Sequence, residues 1–405
     1  MTNRHQPIEM KATKQPTSVM HIMTRHYQYI LAFALLFTTS FPAVSFAAAP
    51  VVPGGLCIET PEGIQCAVAA PVVANPTIIA PKTVNPQNFH PGYYMLVGPN
   101  DGTFTFDRIK GNPDFLGVKK VYTWKKLEPA EGQYDFSQIE SDLAYLQSIG
   151  KRLWIEIRWT TWTSAYPPES PSYMWRNSKY GCDSGYYGSY ARSVALGGWL
   201  LCSWNANVQA RVAALYNALG SRFNSEPYFE GLNVGETSTG YPGDTNAAVW
   251  GYSATNEANA FKANALAAKR AFPSKTVVQQ INYAAFDLTA FASWLVANGI
   301  GLGTPDVYTN KPTNSVVTVI YPLMKASQGA VPIAPDVQWS NYVDNSTALG
   351  DSNVAETTLK GAITMITPHY LFWENREPFL TDMVVPSVRN YGMLPAAKAF
   401  YNSNK

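Results

Sequence analysis

From about residue 90 onward, short apolar runs alternate with longer segments whose apolar residues recur at helical spacing. Gly92–Gly98, Val118–Trp124, Lys151–Trp159 and Phe229–Glu236 read as strands, as do Thr276–Tyr283, Ile300–Tyr308, Val331–Trp339 and His369–Asn375. Between them, Phe136–Gly150, Val208–Phe223, Glu257–Phe272, Leu288–Gly299, Val316–Ser327 and Ala355–Ile366 read as helices, with Gly150 placed to end the first. Strands that alternate with helices predict a parallel sheet. Eight such units over about 310 residues predict a single (β/α)8 TIM barrel, an α/β fold, across residues 89–405. An open doubly wound sheet is the alternative, but it ordinarily carries a glycine-rich phosphate loop, which this sequence lacks.

The chain ahead of the barrel has a different texture. Arg25 and His26 precede the apolar run Ile30–Phe37, and small residues at Ser45 and Ala47 suit a cut after Ala47. Residues 1–47 therefore read as a signal peptide, which predicts a secreted or periplasmic protein with no membrane span in the mature chain. Residues 48–88 are rich in Pro, Val and Ala and predict an extended arm, since proline fixes φ and removes a donor. Processing would remove Arg4, Lys11, Lys14 and Arg25 but only Glu9 among the acids, so the net charge of +2 falls to about −1. With 14% charged residues and no basic run, nucleic acid is excluded as an expected partner. The four cysteines, Cys57, Cys66, Cys182 and Cys202, are expected as disulfides, most simply between sequence neighbours, with 57–66 closing a small loop in the arm. A metal site is disfavoured, because only His90 and His369 remain beyond residue 47; no cofactor is expected.

Active sites of such barrels form at the C-terminal ends of the strands. The carboxylates there are Asp101, Glu128, Glu236, Asp306, Asp336 and Glu374. Glycoside hydrolysis needs two carboxyl groups across one bond. The fourth and seventh strands face each other, so Glu236 and Asp336 can supply that pair, with Glu374 on the eighth strand as the other candidate. Glu156 and Arg158 share one face of the third strand and are expected to pair, with Arg158 nearer the mouth. The segment from Arg158 to Trp204 is long and rich in aromatics, whose flat faces stack on sugar rings; Trp159, Trp162, Tyr166, Trp175, Tyr187, Trp199 and Trp204 are the candidates.

The run Tyr122–Ile157, YTWKKLEPAEGQYDFSQIESDLAYLQSIGKRLWIEI, resembles the second and third strands of the retaining TIM-barrel glycosidases of the 4/7 superfamily, its β-galactosidase- and cellulase-like members above all. The motif W-x-x-L-E-P-x-x-G-x-Y-D-F carries the likeness. It implies that Glu236 is the general acid/base, that Tyr308 orients the nucleophile and that Trp373 floors the sugar site. The sequence departs from that pattern at two points. Gly235 precedes Glu236 where the superfamily has Asn, with Asn233 two residues further back, and the seventh strand offers Asp336 and Gln338 where a Glu is expected. Asn233, Asp306 and Trp339 complete the expected substrate-binding set. The expectation is a hydrolase acting on a polysaccharide or oligosaccharide; the alternative is a catalytically inactive barrel that binds a glycan of the cell envelope.

Overall fold

A computed structural model describes residues 55–60, 63–68, 81, 84–162, 168–175, 177–181, 190–192, 198–238, 251–347 and 351–404. The expected signal peptide, most of the arm, and Tyr166, Cys182 and Tyr187 lie outside the described residues. The chain divides into two compact units, Met1–Pro76 and Thr77–Lys405. In the first, Gly55–Thr60 and Gly63–Val68 form an antiparallel hairpin whose register sets Cys57 opposite Cys66.

The second unit is the barrel. Its strands are β1 (Gly92–Val97), β2 (Phe115–Thr123), β3 (Arg152–Arg158), β4 (Phe229–Val234), β5 (Thr276–Gln280), β6 (Gly301–Gly303), β7 (Asp336–Val337) and β8 (Tyr370–Glu374). All pair in parallel in the order β6-β5-β4-β3-β2-β1-β8-β7. The ring closes between β6 and β7, where Leu302 N–H donates to Pro332 O, Ala334 N–H to Leu302 O and Asp336 N–H to Thr304 O, at 2.8–2.9 Å. The TIM barrel expected from the alternation is therefore the fold observed.

Helices lie where the apolar spacing put them, at Ser137–Ser148, Ala206–Phe223, Ala254–Ala271, Leu288–Ala297 and Val354–Met365. In the first, Ile139, Leu143 and Leu146 bury one face, and Gly150 past its end takes φ +69, the left-handed turn that glycine adopts without strain. The segment expected as one helix from Val316 opens as a π-helical turn, Val316–Ile320, before Tyr321–Ser327. Pro322 lacks the N–H that would continue the regular ladder there. β6 and β7 are much shorter than their apolar runs, and Pro332 and Pro335 withhold donors from β7 for the same reason. Residues past β7 turn at once into a short helix, Trp339–Asp344, and two further helices, Val385–Tyr391 and Pro395–Ser403, end the chain.

Alternation along each strand sorts side chains into two cores. On β3, Leu153, Ile155 and Ile157 face the helices, whereas Trp154 fills the barrel with Tyr94, Tyr370 and Phe372. The Trp154 ring lies 4.9 Å from Tyr370 and 5.1 Å from Phe372. Glycine at Gly117 and Gly231 makes room for these rings. A Cβ at Gly117 would come within 2.7 Å of the Tyr94 ring, and at Gly231 within 3.0 Å of Trp154. By the same alternation Glu156 and Arg158 follow Trp154 up the inner face toward the mouth.

Candidate active site

Glu236 lies two residues past the end of β4, partly exposed at the C-terminal mouth. The turn that carries it is fastened to β5. Gln279 Nε2 donates to Gly235 O at 2.6 Å, Thr237 N–H donates to Gln280 O at 3.3 Å, and Asn282 N–H donates to Thr237 Oγ1 at 3.0 Å. Asn282 Nδ2 also donates to Glu236 Oε2 at 2.9 Å, which leaves Oε1 without a hydrogen-bond partner among the described residues. Removal from water raises the Glu236 pKa from 4.5 to about 8; the charges of Glu156, Asp306 and Asp336 add to the effect and the Asn282 bond opposes it. Near neutral pH this carboxyl holds a proton. Asn282 carries little signal in the sequence beyond an amide just past the end of an apolar run.

Beneath Glu236 lies a buried lysine with two acids. Lys119 Nζ, from β2, is 2.7 Å from Glu156 Oε2 and 2.6 Å from Asp336 Oδ2. Burial works against the Lys119 charge, but Asp336 and Glu156 outweigh it and hold the ammonium above its ordinary pKa. Burial raises the Asp336 carboxyl; Lys119 opposes this, and Glu156 adds to it. The expected pairing of Glu156 with Arg158 is thus replaced. Glu156 reaches down to Lys119, and Arg158 turns to Glu169, with its Nε and Nη2 at 2.6 and 3.0 Å from the two carboxylate oxygens. The physical reason is reach: a lysine on the neighbouring strand neutralises the deeper acid, while the loop after β3 brings Glu169 to the guanidinium at the rim.

A cleft at this end is lined by Glu156, Arg158, Trp159, Trp162 and Glu236, so part of the expected set does converge. Trp159 is largely buried edge-on to Trp124, their ring centres 5.7 Å apart, and Trp162 is partly exposed. Trp175 packs against the core, with Nε1 bonded to Ser170 Oγ, and Trp204 lies edge-on to Tyr252. Asn233 is fully buried under the site, its Oδ1 accepting from Trp154 Nε1 at 2.9 Å. Asp306 and Tyr308 lie past the short β6; Asn341 Nδ2 donates to Asp306 Oδ1 at 2.9 Å, and burial and then the Asp306 charge push the Tyr308 hydroxyl up. Cys202 is buried and not a free thiol.

Two expected members stand apart. Trp373 is an outward residue of β8, fully buried in the helix-facing core and stacked at 9° on Tyr342, so it does not floor a mouth on the barrel axis. Glu374 accepts from Trp339 N–H, and Arg376 lies 4.7 Å over the Trp339 ring, a group of its own between β7 and β8. Glu128, a strand-end acid in the sequence, is fully buried, accepting from Trp124 Nε1, Gly132 N–H and Tyr173 Oη and pairing with Arg211; it holds the motif turn together. Among the described residues no group of three or more His, Cys, Asp or Glu is arranged to hold a metal ion, and no helix is long and apolar enough to cross a membrane. A larger cavity, about 750 Å³, opens at the other end of the barrel between Tyr93, Leu116, Tyr391 and Met393.

No protein-family model and no curated protein sequence matches this chain. Solved structures do. The catalytic domain of a beta-amylase from Paenibacillus polymyxa superposes with a TM-score of 0.52 at 11% identity, over 74% of this chain and 99% of that one. A beta-galactosidase from Bacillus circulans sp. alkalophilus gives 0.50 at 13% identity, over 70% of this chain and 50% of that one. At these identities the likeness shows the fold, a (β/α)8 barrel shared with glycoside hydrolases.

Proposed function

We propose that this chain is an exported glycoside hydrolase that cleaves a polysaccharide or oligosaccharide, with Glu236 as its general acid/base. The observation that carries the reading is the state of Glu236. Its pKa is pushed to about 8, one oxygen is anchored by Asn282, and it lines a cleft with Trp159 and Trp162. A leaving glycosidic oxygen needs a proton at the moment of departure, and a carboxyl raised into the neutral range supplies it. The second carboxyl is drawn from the acids that face Glu236, Asp336 among them; Glu374, engaged with Trp339, is set aside. Likeness of the barrel to a beta-amylase and a beta-galactosidase, both hydrolases of O-glycosidic bonds, supports the reaction class.

A second reading is an inactive barrel that holds a glycan without cutting it. One observation favours it: Asp336 is nearly inaccessible, with one oxygen committed to Lys119. A panel of polysaccharides, read by release of reducing ends, separates the two. Under the first reading the wild type releases ends from at least one glycan and Glu236→Gln is slower by about 10²- to 10⁴-fold with binding retained. Binding without release by the wild type establishes the second. Near wild-type turnover by Glu236→Gln removes Glu236 from the chemistry.

A further inference from the structure

Two carboxyls, Glu156 and Glu236, line the cleft, on neighbouring strands whose register sets Glu156 beside Asn233. Glu156 and Asp336 share Lys119, but the Glu156 side chain is 13% exposed and Asp336 4%, so Glu156 is the one that reaches the cleft. Asn233 Nδ2 and Asp336 Oδ1, buried around this cluster, have no hydrogen-bond partner among the described residues. From these observations we infer that Glu156 is the second catalytic carboxyl of the site and that Lys119 is its positioning residue. The inference builds on the proposed role of Glu236.

The chemistry balances. The glycosidic C–O bond breaks as the leaving oxygen takes the Glu236 proton and the bonding electron pair. Positive charge then grows at the anomeric carbon and its ring oxygen, and the Glu156 carboxylate beside it stabilises that charge. Water adds to the carbon and its proton returns to Glu236. One lysine shared by two acids holds the Glu156 head group in place. Asp336 is the second partner that keeps Lys119 buried and charged. The groups whose charges act on Glu236 are Glu156 and Arg158 from β3, Asp306 past β6 and Asp336 from β7.

The test compares wild type, Glu236→Gln, Glu156→Gln, Asp336→Asn, Lys119→Arg and Lys119→Met on the glycan found by the panel and on the matching dinitrophenyl glycoside, from acid to alkaline pH. Glu156→Gln is expected to lose on the order of 10²- to 10³-fold on both substrates, because its charge is needed whatever the leaving group. Its alkaline limb moves to lower pH, because Glu236 loses a negative neighbour. Lys119→Arg keeps more activity than Lys119→Met, and Asp336→Asn loses less than Glu156→Gln. A folded, glycan-binding Glu156→Gln with wild-type rate on the dinitrophenyl glycoside overturns the inference, as does an unmoved alkaline limb or a larger loss in Asp336→Asn. Should Glu156→Gln fail to fold, Glu156→Asp is read in its place: the rate falls while the limb stays, and an unchanged rate overturns the inference. Full activity in Glu236→Gln is a separate result and sinks the hydrolase reading itself.

Discussion

A carboxyl held protonated near neutrality costs stability, and Glu236 carries that cost. Its pKa rises from 4.5 to about 8 on folding, so between those values the folded chain binds more protons than the unfolded one. Stability from this group is full below about 4.5, declines as pH rises, and is lost above about 8. Glu236→Gln is therefore expected to raise the Tm, by more at alkaline than at acid pH, while activity falls. A Tm difference between variant and wild type that does not grow with pH would show that Glu236 is not raised. The same variant should spare the first step on a dinitrophenyl glycoside, whose acidic leaving group needs little protonation. Lys119 and Lys120 show how such residues announce themselves: two adjacent lysines inside an apolar run, both buried, each answered by acids.

Between strands and helices, the motif after β2 is a structural clamp. Leu127 O accepts from Asp135 N–H, and Glu128 ties Trp124 and Gly132 to Tyr173 of the loop after β3 and to Arg211 of the helix Ala206–Phe223. Glu128→Ala is expected to cost about 3–5 kcal/mol in chemical denaturation, because it strips Arg211 of its counter-charge and leaves the buried Trp124 Nε1–H without an acceptor. Below about 1 kcal/mol, the clamp is not what the motif is for. The resemblance seen in the sequence thus marks a fold-stabilising turn.

Across the whole molecule, the barrel interior is packed by rings at its base and carries charge at its mouth. Trp154 fits because Gly231 faces it, where a Cβ would lie 2.4 Å from Thr276 O. Gly231→Ala is expected to destabilise by about 1–3 kcal/mol in urea unfolding, the cost of overpacking. An unchanged midpoint would mean that β4 and β5 separate more easily than their shared hydrogen bonds suggest. Rings at the base also keep Asn233 and Lys119 out of water, so stability there and electrostatics at the mouth are linked.

How much of this was legible in the residues follows from what each feature depends on. The order of elements, the parallel barrel and the position of Glu236 past the fourth strand depend on local periodicity and strand ends, and the sequence determined them. Boundaries slipped where proline intervened, at β7 and at the helix from Val316, because a missing donor acts on hydrogen bonds that periodicity does not register. The site was readable only in part. The resemblance places Trp373 at the mouth, yet alternation along β8 turns it outward. A shared strand face pairs Glu156 with Arg158, yet Lys119, a neighbour across the sheet, takes it. Lys119 and Asp336 are 217 positions apart and meet only because the ring of strands closes with a particular register. Which acids carry charge and which hold a proton depends on neighbours at a few ångströms, and those the tertiary structure alone decided.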